Sequence, residues 1–151
     1  MELLDPTDVP ERVLVVVAHP DDIDFGIAGT AAVLTAAGSQ VTYALLTSGE
    51  AGIPDDMDRG ELAAMREREQ RAAAAVVGVT DVRFLGQPDG HLEANLELRK
   101  VISRVIRQVR PHRLMAQSPE RNWARVYSSH PDHLAAGEAA MCAVYPDARN
   151  P

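Results

Sequence analysis

Residues 13–26 read VLVVVAHPDDIDFG: five consecutive apolar residues, Val13 to Val17, run almost directly into His19, Asp21, Asp22 and Asp24. Three like charges on one short loop repel one another and resist desolvation, so such a loop is either well solvated or neutralised by a cation. A second cluster, HPDH at 130–133, repeats the His-Pro-Asp order. His19 and Asp22 are three residues apart on a tight turn. His130 and His133 are three apart at a helix start, where such a pair shares a face. A catalytic zinc site takes about three protein ligands, His or carboxylate, and keeps one position open. These residues supply two histidines and a carboxylate, with one histidine to spare. Oxygen-only cations fit less well, because His19 sits in the middle of the first cluster. A lone strand-end histidine is more often structural than ligating; two clusters on one sheet edge shift that balance. His91 and His112 have no such company and read as surface or structural residues.

The elements that must position these residues alternate in period. RVLVVVA (12–18) is a continuous β-branched run, as in a strand buried on both faces. Residues 26–38 predict a small-residue helix closed by Gly38, and 40–47 a second strand, followed by a polar loop over 48–59. Asp58 and Glu61 have the spacing of a capping box. They open a helix to about Val77, with Leu62, Met65, Ala73 and Val76 on its apolar face. A short strand is expected over 82–85. Asn95 caps a helix with a clear stripe of Leu98, Val101, Ile102, Val105, Ile106 and Val109, ended by Pro111. A fourth strand falls at 113–117 and a last helix at 130–146, with Pro131 in its first position. The alternation predicts one α/β domain over 1–151: a Rossmann-like three-layer sandwich, with a mainly parallel sheet and helices on both faces. In such sheets ligands bind beyond the carboxyl ends of the strands, and all four polar loops fall there. The final YPDARNP reads as a chain leaving a helix with nowhere to dock, which suggests a C-terminally incomplete domain.

Composition excludes several classes. A net charge of −7 argues against a nucleic-acid or anionic-membrane surface. No apolar run approaches transmembrane length, and the N-terminus lacks a signal core. The expectation is a cytoplasmic protein without membrane insertion. The single cysteine, Cys142, rules out an internal disulfide and reads as small core filler.

The motifs AHPDD and HPDH, with TSGEAG (47–52), ELAAMREREQRAAAAVVGV (61–79) and FLGQPDGHL (84–92), resemble the LmbE/PIG-L zinc-dependent deacetylases, which include N-acetylglucosaminyl deacetylases. The resemblance spans most of the chain, and relatives generally continue well past residue 151. It implies His19, Asp22 and His133 as zinc ligands, with Fe2+ as an alternative metal. It implies Asp21 as general base, and His130 as the group that stabilises the oxyanion or protonates the leaving amine. Asp132 would orient His130, while Arg66 and Asp89 would contact the sugar or its substituent. Ile23 stands where many relatives carry Glu. The implied partner is a small N-acetylated amino sugar or conjugate, with room for a homo-oligomer.

Each residue also has a plainer reading. Asp21 could cap the following helix, and Asp132 could be a first-turn acid favoured by the helix dipole. Arg66 lies in REREQR, where a solvated face with Glu67 and Arg71 paired is the default. Asp89 in PDG is equally a turn residue. Trp123, Tyr127, Arg121 and Arg125 lie on the loop before HPDH; they suit a sugar face and an anionic group, or Trp123 packs the loop down. Among rivals, an aspartate-nucleophile phosphatase lacks its lysine, since Lys100 is the only one and lies mid-helix. A dinucleotide-binding domain lacks G-x-G-x-x-G and has carboxylates where a pyrophosphate would sit. Closer alternatives are an amidase of a related, mycothiol-conjugate-like substrate and a folded but inactive metal-binding member.

Overall fold

The computed structural model describes residues 9–52 and 57–150. The segment before residue 9, read above as lacking a signal core, and positions 53–56 of the polar loop lie outside them. Strand β1 (Arg12–Val17) lies inside the sheet. It pairs in parallel with β2 (Gln40–Leu45) on one side and with β4 (Arg113–Ala116) on the other, and β2 pairs in parallel with β3 (Asp81–Phe84). The order is β3-β2-β1-β4, with Val15 level with Tyr43 and Met115.

Two faces explain the unbroken apolar run of β1. Leu14 and Val16 point into a core formed with Leu98, Ile102 and Val105 of α4 (Leu96–Val109) and Ala136, Ala139 and Ala140 of α5 (Pro131–Cys142). Val13, Val15 and Val17 point the other way. They meet Ile23 of α1 (Asp21–Gly26), Ala31 and Leu34 of α2 (Ala28–Ala36) and Ala74 of α3 (Arg59–Val76). Every side chain from Val13 to Val17 is fully buried, each contributing about 1.5–3 kcal/mol of apolar transfer. The three-layer parallel architecture agrees with the sequence reading. The strand order adds what periodicity cannot supply. The chain lays down β1, β2 and β3 outward, then crosses back to place β4 on the free side of β1. That reversal opens a crevice at the carboxyl ends of β1 and β4, and the two His-Pro-Asp motifs follow those two strands.

Helix caps also follow the sequence. The Asp58 carboxylate accepts the Gly60 and Glu61 N–H groups at the start of α3, and the Asn95 side chain accepts the Leu98 N–H at the start of α4. Four expectations need correction. Residues 21–26 form the short helix α1 rather than an open loop: Pro20 is already in the helical region, and three acids occupy the first turn, where the dipole favours them. Val76 does not belong to the buried face of α3; it is 86% exposed, and the helix buries Leu62, Gln70 and Ala74 instead. Cys142 is only partly buried, with its Sγ against Glu138. The segment after α5 does dock: Asp147 receives both arms of Arg99 at 2.7 and 2.8 Å, and Arg107 donates to backbone carbonyls of Asp147 and Asn150. Charge pairing holds this segment, which an apolar periodicity does not register. No helix among the described residues is long and apolar enough to cross a membrane.

Helix α5 approaches the chain leaving β4 closely enough to exclude a side chain at Gly137. A Cβ there would stand 2.4 Å from the Gln117 carbonyl oxygen and 2.8 Å from the Pro119 nitrogen. This contact fixes the second His-Pro-Asp motif against the sheet edge. Gly137→Ala is therefore expected to cost about 1–3 kcal/mol through overpacking, read as a lower urea midpoint. An unchanged midpoint would show that α5 has slack against β4.

Candidate metal centre and its cleft

His19 leaves the end of β1, Asp22 lies in the first turn of α1, and His133 lies in the first turn of α5. Their ligand atoms fall within 4.8 Å of one another. His133 Nε2 is 2.9 Å from one Asp22 oxygen, and His19 Nδ1 is 3.3 Å from the other. The two imidazole nitrogens face each other at 3.2 Å. The His19 backbone N–H also donates to Asp22 at 2.8 Å, locking the carboxylate to the turn that carries its partner. Two nitrogens and a carboxylate aimed at one point are a donor set suited to zinc or another borderline metal.

The electrostatics point the same way. Burial disfavours a charged His19. The hydrogen bond to Asp22, the charges of Asp22 and Asp89 and the contact with Asp132 outweigh that and push its pKa up to about 9. Burial would raise the Asp22 pKa, but hydrogen bonds with His133 and His19 hold this carboxyl well below its ordinary range. Three carboxylates thus crowd one imidazole in a largely desolvated pocket, and the residues fit a bound cation.

The outer nitrogen of His19 is equally engaged. Nε2 lies 3.0 Å from Asp89 Oδ1 and 3.3 Å from Asp132 Oδ2. Asp132 is 1% exposed. Its carboxylate accepts the Gly90 and Leu92 N–H groups at 2.8 and 3.2 Å, tying the loop after β3 to α5. Asp89 accepts the Ala51 N–H, while its own N–H donates to Glu50. Sequence reading linked Asp132 with His130 and Asp89 with a sugar; in the structure both carboxylates reach His19. Asp132 does meet His130, but through its backbone: the Asp132 N–H donates to His130 Nδ1 at 3.2 Å. That bond places the neutral ring's proton on Nε2. A second triple, His19, His130 and Asp132, also converges. Its Asp132 oxygens and His130 Nδ1 already hold backbone N–H groups, so the first triple has fewer prior commitments.

Asp21 is free of any capping hydrogen bond. Its carboxylate is 56% exposed, 3.5 Å from the Arg66 guanidinium. Arg66 donates to the Gly49 carbonyl at 2.7 Å, and its seat requires glycine: Gly49 has φ +70°, and a Cβ there would lie 2.1 Å from Arg66 Nη1. The solvated-face reading of REREQR holds for Arg68 and Glu69, and Glu67 does meet Arg71 at 3.9 Å, but Arg66 turns inward. Gly49 and Glu50, which seat Arg66 and Asp89, were not singled out as site residues in the sequence. TSGEAG was the available signal. Ile23 is fully buried in the core beneath α1, so its identity removes no group from the site. His91 is exposed, and His112 contacts Arg12 away from the centre.

These residues line a cleft of about 1150 Å³. His19, Asp22 and His133 lie in it beside Asp21, Arg66, Asp89 and His130, and Phe25, Arg121, Trp123, Arg125 and Tyr127 also line it. Trp123 is 80% exposed and does not pack the loop down.

Comparison with known proteins bears on the family and the fold. Residues 14–144 match the family model described as GlcNAc-PI de-N-acetylase, PIG-L. The chain is 35% identical over 148 residues to a probable N-acetyl-alpha-D-glucosaminyl L-malate deacetylase 2 of Bacillus anthracis, covering 93% of this chain and 63% of that protein. It is 38% identical over 141 residues to diacetylchitobiose deacetylase of Thermococcus kodakarensis, covering 93% of this chain and 51% of that protein. The solved N,N'-diacetylchitobiose deacetylase of Pyrococcus horikoshii superposes with a TM-score of 0.86 at 31% identity, over 95% of this chain and 53% of that one. The chain thus spans about half to two thirds of the length of these relatives. With the match running from β1 into the turn after α5, through both His-Pro-Asp motifs, the chain belongs to the PIG-L/LmbE family.

Proposed function

We propose that this domain hydrolyses the N-acetyl amide of an N-acetylglucosamine-type sugar or conjugate, releasing acetate and a free amine, with zinc as its metal. The observation that carries this reading is the convergence of His19, Asp22 and His133 next to a carboxylate, Asp21, that no ligand or cap claims. His19, Asp22 and His133 would hold the metal. A zinc ion bound there lowers the pKa of water to about 7 and polarises the acetyl carbonyl as a Lewis acid. The same donor set accepts Fe2+.

The chain's own residues supply the rest. Asp21 follows Pro20 and precedes the ligand Asp22; with its neighbour turned to His19 and His133, it faces the cleft and takes the proton of the attacking water. Arg66 holds that carboxylate in place from the side. His130 Nε2 carries the ring proton and has no hydrogen-bond partner among the described residues. It donates to the oxygen that becomes negative as the amide is attacked, a contact worth about 3 kcal/mol. The proton that Asp21 has taken from water then passes to the departing amine, so that the carboxylate is regenerated and His130 keeps its own proton. Asp132 and Asp89 orient His19 through its outer nitrogen, the carboxylate–histidine arrangement that raises ligand basicity.

The direct experiment is zinc-dependent release of free amine from N-acetylglucosamine and diacetylchitobiose by metal-stripped protein. Release that appears only with zinc supports the reading; a folded, zinc-loaded protein that releases no amine from any N-acetylated sugar contradicts it. Asp21→Asn should lower kcat by about 10²–10⁴-fold while zinc stoichiometry stays at the wild-type value. Full activity in that variant would remove Asp21 from the role of base. Asp132→Asn should weaken zinc binding by about 10–100-fold, measured by competition with a chromogenic chelator. Wild-type affinity would show that His19 needs no help from this carboxylate.

A further inference from the structure

A buried polar pair lies outside the cleft, on the side of the sheet that α1 covers. The Tyr43 hydroxyl of β2 and Gln70 Oε1 of α3 are closed off from water and have no hydrogen-bond partner among the described residues. Tyr43 is 0% exposed and packs in the same core as Ile23; Gln70 is 2% exposed. A buried polar atom left unmet is costly, and apolar groups of similar shape in its place are close to neutral or stabilising. Phenylalanine and leucine would therefore serve the core better at these two positions. What the polar pair has in common is Asp24. Gln70 Nε2 donates to the Asp24 carboxylate at 3.3 Å. Burial first, and the charge of Asp24 second, push the Tyr43 hydroxyl up to about 12.

Asp24 belongs to the six-residue helix α1, which also carries Asp21 and Asp22. A helix this short has no stability of its own. Its buried residue is Ile23. An apolar contact is non-directional, so it fixes the depth of the helix better than its rotation. The three acids in the first turn repel one another as well. Direction has to come from polar contacts, and α3 supplies two. Arg66 reaches Asp21 at 3.5 Å. Gln70 lies four residues further on, and so on the same face of α3, and it reaches Asp24. The two rungs flank Asp22 in the chain, while its own oxygens turn to His19 and His133.

We propose that Gln70 is a positioning residue for the metal centre: by donating to Asp24 it sets the rotation of α1, and with it the approach of Asp22 to His19 and His133 and of Asp21 to the cleft. The inference rests on the metal centre proposed above, and its test reads zinc binding rather than turnover alone. Zinc affinity would be measured by competition with a chromogenic chelator in the wild type, Q70L, D24A, D24N and D24A/Q70L, with urea midpoints alongside. Q70L should weaken zinc binding by about tenfold, the lower end of what the supporting contacts of a metal ligand contribute. Its urea midpoint should stay at or above the wild-type value, because the orphaned amide oxygen is gone and the exposed Asp24 turns to water. A residue that serves the fold alone would show the reverse, a lower midpoint with unaltered zinc affinity. D24A should match Q70L, and D24A/Q70L should be no weaker than either, since all three remove the same contact. D24N still offers an oxygen to Gln70 Nε2, so it should lose only about threefold or less, the scale of one exposed charge. Wild-type zinc affinity in Q70L, or D24N as weak as D24A, would overturn the role of Gln70. A wild type that binds no zinc would remove the metal centre, and the positioning role with it. Amine release from N-acetylglucosamine by the same proteins reports on the deacetylase reading alone: a wild type that binds zinc without releasing amine would remove the reaction and leave the zinc comparison decisive for Gln70.

Discussion

The site is organised around the crowding of carboxylates on one imidazole. Asp22 approaches His19 on its inner nitrogen, and Asp89 and Asp132 approach on its outer one, all with little exposure to water. Desolvating charge in this way costs several kcal/mol per ion. It is offset only because every oxygen involved has an imidazole or a backbone N–H to meet. Those N–H groups belong to His19, Ala51, Gly90 and Leu92. The arrangement that positions the ligands therefore also joins the loops after β1, β2 and β3 to the start of α5.

The sheet supplies the stiffness this requires. β1 is buried on both faces and bonded on both edges, so its end cannot shift without disturbing both cores. Small residues then let the other parts close in. Ala136, Gly137, Ala139 and Ala140 bring α5 against the sheet and the chain leaving β4, while Gly49 admits the Arg66 guanidinium. Bulk at these positions would displace His133 or Arg66, and the roles proposed for them tolerate little: about 0.2 Å for a metal ligand and about 0.5 Å for a contact at the reacting groups.

What the sequence reveals follows from how local each signal is. His19 with Asp22, and His130 with His133, could be paired because i, i+3 spacing at an element end is a local property. The alternation of periods likewise gives the parallel sandwich. The destination of the Asp89 and Asp132 carboxylates was not legible. An aspartate in PDG or in a helix first turn is locally satisfied in any protein, and the partner here is a ring 70 and 113 positions away in the chain. Residue spacing alone hid Arg66 for a similar reason, and only the resemblance moved it inward: REREQR is amphiphilic enough to be all solvent-facing, whereas the contacts of Arg66 with the Gly49 carbonyl and Asp21 turn its guanidinium inward. The short helix α1 was masked by Pro20, which reads as a breaker but serves as a start. The docking of Asp147 on Arg99 was missed because it has no periodicity at all.

The cleft therefore divides by the kind of restraint on its parts. The proposed metal ligands, Asp89 and Asp132 are each fixed by two or more contacts, so a change in one disturbs the others. Arg121, Trp123, Arg125 and Tyr127 are held within a single segment, chiefly by Asn122 contacts to the Ala124 and Arg125 N–H groups and by the Ser129 hydroxyl on the Asn122 N–H. Their hydrogen bonds stay within that segment, so the outer wall of the cleft is separable from the residues to which the proposed deacetylase function assigns its reaction.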